Sequence, residues 1–105
     1  MEMNRFDGKV AIITGGATGI GFTTALLFAR EGASVVIAGR NRENGAKAQQ
    51  KLNETGGNHL YVQADISREA DVKELIGVTM ERMGRIDVLV NNAAMFYESD
   101  FLTEP

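Results

Sequence analysis

Residues 14–21 read Thr-Gly-Gly-Ala-Thr-Gly-Ile-Gly, TGGATGIG, and the reading of this stretch decides the fold. It follows directly on the apolar run VAIIT from Val10 and leads into a helical stretch that opens at Gly19. Further along come three more short β-branched runs, SVVIA from Ser34, HLYVQ from His59 and IDVLVN from Ile86, spaced about every 25 residues. Most of these runs are almost continuously apolar. That pattern predicts parallel strands covered on both faces, because a half-exposed antiparallel strand alternates more cleanly.

Three helical stretches separate the runs. The first closes at Glu31-Gly32-Ala33, where Gly32 can take the left-handed conformation that ends a helix. The second starts after Asn41, a good N-cap, and ends at Gly56-Gly57. The third follows Ser67, another N-cap candidate, and sets Val72, Leu75, Ile76, Thr79, Met80 and Met83 on one face before Gly84. Met80 and Met83 are read as core filler on that stripe. Strand and helix in strict alternation is the grammar of a parallel α/β sheet with right-handed crossovers; for a Rossmann-type doubly wound half-fold of four strands and three helices the expected order is 3-2-1-4. In that order the IDVLVN strand is an edge with poorly covered apolar faces.

Within this frame each glycine of the first turn has its own task. Gly15 permits the tight turn out of the strand, Gly19 lets backbone approach a pyrophosphate, and Gly21 allows the helix to pack closely. The helix start then offers unpaired N–H groups and a partial positive charge to phosphates. The alternative is a glycine-rich loop that binds nothing, but the position between first strand and first helix is the one dinucleotide binding requires. A P-loop is excluded, since Ile20-Gly21-Phe22 supplies no Lys-Ser/Thr pair for phosphate and magnesium.

Composition narrows the class. The chain has 105 residues, no cysteine and a formal net charge of -3. A disulfide framework, a thiolate metal site and cysteine nucleophilic catalysis are therefore out. The acidic balance argues against sequence-independent nucleic-acid binding, which needs a Lys/Arg excess. No stretch has the apolar length to cross a bilayer, and the N-terminus lacks the basic-then-apolar order of a secretion signal, so a cytoplasmic location is expected. Asp65, Asp71 and Glu74 have no accompanying His/Cys set for a metal. His59, the single histidine, reads as structural, and the acidic residues Glu98, Asp100 and Glu104 as a solvated loop.

These residues resemble the short-chain dehydrogenase/reductase family over about residues 6 to 94. Thr14 through Gly21 match its TGxxxGIG motif, so Thr14, Gly15, Thr18, Gly19, Ile20 and Gly21 are assigned to the cofactor. The resemblance implies that Asp65 hydrogen-bonds the adenine with the backbone of Ile66. It also implies that Asn91, Asn92 and Ala93 form the Asn-Asn-Ala element beside the cofactor, with Ala94 in place of the usual glycine.

The end of the second strand meets the adenosine ribose and chooses between the two nicotinamide cofactors. Here the sequence is Ala38-Gly39-Arg40-Asn41. Gly39 stands where an NAD-preferring relative carries Asp, and the Arg40 guanidinium, with Asn41, suits a 2′-phosphate. NADP(H) is thus expected over NAD(H), with Arg42 and Lys47 adding to the positive field. The other reading of Arg40 is a solvated charge at a strand end. Thr18 stands where many NADP-preferring relatives have a basic residue.

The family's proton-transferring tyrosine has a lysine four residues on, but here Tyr61 is followed by Asp65 and Tyr97 by Phe101. No catalytic residue is assigned. Residues 1–105 are read as a partial NAD(P)-binding domain without its catalytic C-terminal half, and the small-molecule substrate and homo-oligomeric assembly belong to a full-length parent. The alternative is a non-catalytic dinucleotide-binding or interaction module complete at this length.

Overall fold

Seven elements alternate along the chain: β1 (Val10–Thr14), α1 (Gly19–Arg30), β2 (Ser34–Gly39), α2 (Arg42–Glu54), β3 (Leu60–Gln63), α3 (Glu69–Met83) and β4 (Val88–Asn91). They are seen in a computed structural model that describes residues 5–92. The four strands make one parallel sheet in the order β3-β2-β1-β4, the order expected of a Rossmann-type half-fold. Val10 pairs with Ser34 on one side of β1, and Ala11 with Val88 on the other.

Helices cover both faces of the sheet, and each face has its own core. Ile13, Val35 and Ile37 pack with Ala25 and Ala29 of α1 and Ala48 and Leu52 of α2. The alternate residues Val10, Ile12, Val36 and Ala38 pack with Leu75 of α3, and Leu60, Val62, Met83 and Ile86 close around them. This division follows from the two-residue period of a strand: successive side chains of β1 and β2 point to opposite helical layers.

Burial on both faces is complete for β1 and nearly so for β2, but β3 is half-buried and β4 alternates. The apolar runs therefore overstate the cover of the two outer strands. Leu89 of β4 is 58% exposed, as an open edge requires. The same gap corrects the stripe of α3. Leu75 and Thr79 are buried, whereas Ile76 and Met80 face outward, Met80 at 46% exposure, because no neighbouring helix covers that side of α3 among the described residues.

The cap of α3 also differs from the sequence expectation. The N-cap position is Arg68, without a side-chain cap, because the Ser67 hydroxyl donates instead to Asp65 Oδ1 at 2.7 Å. Asn41 does cap α2, its side chain accepting the Asn44 N–H at 2.9 Å. Gly32 follows α1 at φ +97, the left-handed position foreseen, and Gly84 ends α3 in the same region at φ +82.

Candidate functional site

The site is built at the C-terminal ends of the strands, where a parallel sheet gathers its loops. Gly15 leaves β1 at φ +65 and donates its N–H to the Ala38 carbonyl at 2.8 Å, which ties the first turn to the end of β2. Gly16 is pressed into the sheet. A Cβ there would stand 2.6 Å from Ile37 Cγ2 and 2.9 Å from the Ile13 carbonyl oxygen. Gly19, at φ +58, is exposed and has nothing within 4 Å of a would-be Cβ, so its backbone is open to approach. At Gly21 a Cβ would overlap the Gly15 carbonyl, with the carbonyl carbon only 2.7 Å away. The tight turn, open approach and close packing expected of Gly15, Gly19 and Gly21 are what their surroundings permit.

The three helix starts differ electrostatically. At α2 the Asn41 cap and Glu43 offset the positive end, and at α3 Glu69 and Asp71 do so. At α1 there is no acidic residue in the first turn, and the Thr18 side chain makes no cap bond. The N–H groups that open α1 thus keep both their donors and their share of the helix dipole for an anion. Thr18 and Ile20 are exposed beside them.

A cleft of about 510 Å³ opens in front of this turn, lined by Gly15, Ala17 and Thr18 on one side and by Gly39, Arg40, Asn41 and Asn44 on the other. No atom lies within 4 Å of a Cβ built on Gly39, so a carboxylate side chain would fit there and is simply not present. The backbone of this second turn is held from β3. The Gly39 carbonyl accepts the Tyr61 hydroxyl at 2.8 Å and the Ala64 N–H at 3.0 Å, and the Arg40 carbonyl accepts Gln63 Nε2 at 3.1 Å.

Asp65 follows β3. Its Oδ1 accepts the Ser67 hydroxyl at 2.7 Å and the Ser67 N–H at 3.0 Å, while its own N–H donates to Asp71 Oδ2 at 2.8 Å. The Ser67 hydrogen bonds, side chain first, hold the Asp65 carboxyl below the usual carboxylate range, and the charges of Arg40 and Arg68 act in the same direction. The neighbouring Ile66 side chain packs against the sheet. On the far side of β1, Thr14 stands level with Asn91 in the sheet, and its hydroxyl donates to Asn91 Oδ1 at 3.0 Å. The Asn92 amide nitrogen lies 3.0 Å from the position of a Cβ on Gly21, so it borders the same turn. Ala93, expected beside these asparagines, lies outside the described residues, as do Ala94 and Tyr97.

His59 has the structural place expected of it. Its Nδ1 accepts the Val35 N–H at 3.1 Å, which leaves Nε2 as the protonated nitrogen facing the Gly56 carbonyl at 2.8 Å. Burial lowers its pKa against the opposing effect of the Gly56 hydrogen bond. No metal-ligand cluster occurs among the described residues, and no helix there is long and apolar enough to cross a membrane. Gly16, Ala17, Asn44 and Gln63 were not singled out by the sequence. Gly16 carried a signal in the paired glycines, but Asn44 and Gln63 have meaning only through distant partners.

Comparison with known proteins gives concordant matches. A family model described as short chain dehydrogenase matches residues 9–104. The chain is 40% identical over 102 residues to a 3beta-hydroxysteroid dehydrogenase of Mediterraneibacter gnavus, covering 97% of this chain and 37% of that protein. The structure of L-sorbose reductase from Gluconobacter frateurii, complexed with NADPH and L-sorbose, aligns with a TM-score of 0.83 at 36% identity, covering 88% of this chain and 35% of the other. NAD+-bound xylitol dehydrogenase aligns with a TM-score of 0.79 at 33% identity, covering 81% and 33%. The chain therefore spans well under half the length of the relatives it matches.

Proposed function

The chain belongs to the short-chain dehydrogenase family, and from that premise we propose that it is the NADP(H)-binding part of an oxidoreductase that interconverts a carbonyl and an alcohol. When bound, a nicotinamide dinucleotide supplies or takes up the hydride. The residues of this chain hold and orient it. The opening N–H groups of α1, bare above Gly19, receive the pyrophosphate. Asp65 and the Ile66 backbone receive the adenine, and Thr14, Asn91 and Asn92 support the turn at the strand ends. The relatives' names, hydroxysteroid dehydrogenase and sorbose reductase among them, favour carbonyl–alcohol chemistry for the whole protein.

The observation that carries the cofactor preference is the pairing of Gly39 with Arg40. The strand end that meets the ribose has open room for a carboxylate and no carboxylate, and the next residue, Arg40, lines the cleft with Asn41 beside it. A charge-assisted hydrogen bond to a 2′-phosphate contributes about 1.5–3 kcal/mol, or roughly ten- to a hundredfold in affinity. Calorimetric titration with NADPH and NADH tests this. Tighter NADPH binding is expected, abolished as a preference by Arg40→Ala and reversed by Gly39→Asp; equal binding of both cofactors would sink the preference.

A further inference from the structure

The turn that carries Arg40 is held by a short relay of side chains whose order is fixed by chemistry. Gln63, at the last position of β3, accepts Arg42 Nε through Oε1 at 2.8 Å and donates from Nε2 to the Arg40 carbonyl at 3.1 Å. An arginine can only donate and a carbonyl can only accept, so the two partners leave the Gln63 amide one orientation. Arg42 does not line the cleft, and among the described residues its guanidinium makes no other hydrogen bond or ion pair. The preceding carbonyl, Gly39, is taken up by Tyr61 and Ala64, and the following side chain, Asn41, is spent on capping α2. Both backbone neighbours of Arg40 are thereby fixed, and Gln63 fixes Arg40 itself.

We propose that Gln63, oriented by Arg42, is a positioning residue for cofactor discrimination: it fixes the backbone from which the Arg40 guanidinium enters the cleft. This rests on the NADP(H) reading above and extends it to two residues that touch no phosphate. A guanidinium on a fixed backbone meets a phosphate with less conformational freedom to lose, and NADH, which has no 2′-phosphate, gains little from that order. The pair is exposed, so its effect is modest.

The test is calorimetry of the 105-residue chain with NADPH and with NADH, reading the ratio of the two dissociation constants. Gln63→Ala is expected to lower the NADPH preference about threefold, within the range of one neutral hydrogen bond. Arg42→Ala should lower it similarly, and the double variant no further, since both act through one relay. Gln63→Glu separates the two ends. It keeps an acceptor for Arg42 and loses the donor to Arg40, so it should lose the preference at least as fully as Gln63→Ala. A Gln63→Ala chain that binds both cofactors more weakly by the same factor, or a Gln63→Glu chain with the wild-type ratio, overturns the proposal while leaving the NADP(H) reading intact. A wild-type chain without NADPH preference overturns both.

Discussion

Replacing Gly21 by alanine is the most direct test of the packing argument at the first turn. The added methyl would overlap the Gly15 carbonyl oxygen and stand 2.7 Å from its carbon, where ordinary contact needs well over 3 Å. Both atoms belong to backbone, and Gly15 is anchored by its hydrogen bond to Ala38, so neither a rotamer change nor a small slide relieves the clash. Overpacking of this kind costs about 1–3 kcal/mol, and a rigid backbone partner puts Gly21→Ala at the upper end. Against it stands a gain of at most about 1 kcal/mol from replacing glycine in a helix. A net loss of about 2 kcal/mol lowers the melting temperature by roughly 8–16 °C for a domain of this size. Gly77, in the middle of α3, has no atom within 4 Å of a Cβ, so Gly77→Ala shows the helix term alone and should stabilise by about 0.5–1 kcal/mol. Urea and thermal unfolding of the two variants against wild type make the measurement. If Gly21→Ala is as stable as wild type, helix α1 does not rest on the Gly15 carbonyl as described, and the assignment of that glycine fails.

Two further outcomes follow from groups away from the cleft. His59 is held neutral by burial and by the Val35 N–H aimed at its Nδ1, so its native pKa lies below the unfolded value of about 6.5. The unfolded chain then binds more protons in that window, so the His59 contribution is fully present above about pH 6.5 and is lost as pH falls from there toward the native pKa. The urea midpoint of wild type should drop over that interval while His59→Gln, which cannot titrate, stays flat; a flat wild-type profile would count against the tautomer assignment. Leu89→Lys places a charge on the exposed position of the β4 edge, where it should suppress self-association in light scattering while changing the unfolding midpoint by less than about 0.5 kcal/mol.

The sequence made the sheet legible because β1 and β2 are buried on both faces, and such strands must be apolar throughout. Alternation of elements made a parallel sheet legible, and the order 3-2-1-4 came from the Rossmann-type half-fold to which the glycine turn between first strand and first helix points. What escaped were features decided by partners far away in the chain. Ser67 has the right chemistry for an N-cap and uses it on Asp65 instead. Ile76 and Met80 have the right spacing for a core, yet nothing packs on their side of α3 among the described residues. Tyr61 reads as an ordinary strand aromatic. In the structure its ring fills the space in front of Gly45 and its hydroxyl holds Gly39, so a glycine that looks out of place inside α2 makes room for the residue that steadies the cleft.

The place of β1 at the centre of the sheet has a consequence for synthesis. Its partner on one side, β2, is complete at Gly39, but its partner on the other, β4, is complete only at Asn91. A ribosome adding about 5–20 residues per second needs roughly 3–10 s to cover that interval. Throughout it the most apolar strand of the nascent chain has one unpaired edge, and the carboxylate of Asp87 that will receive the Val10 N–H has not yet emerged until near the end. Between these two points of synthesis β1 stands half paired, and a chaperone that shields its open edge would act on the long-range pairing that the topology delays.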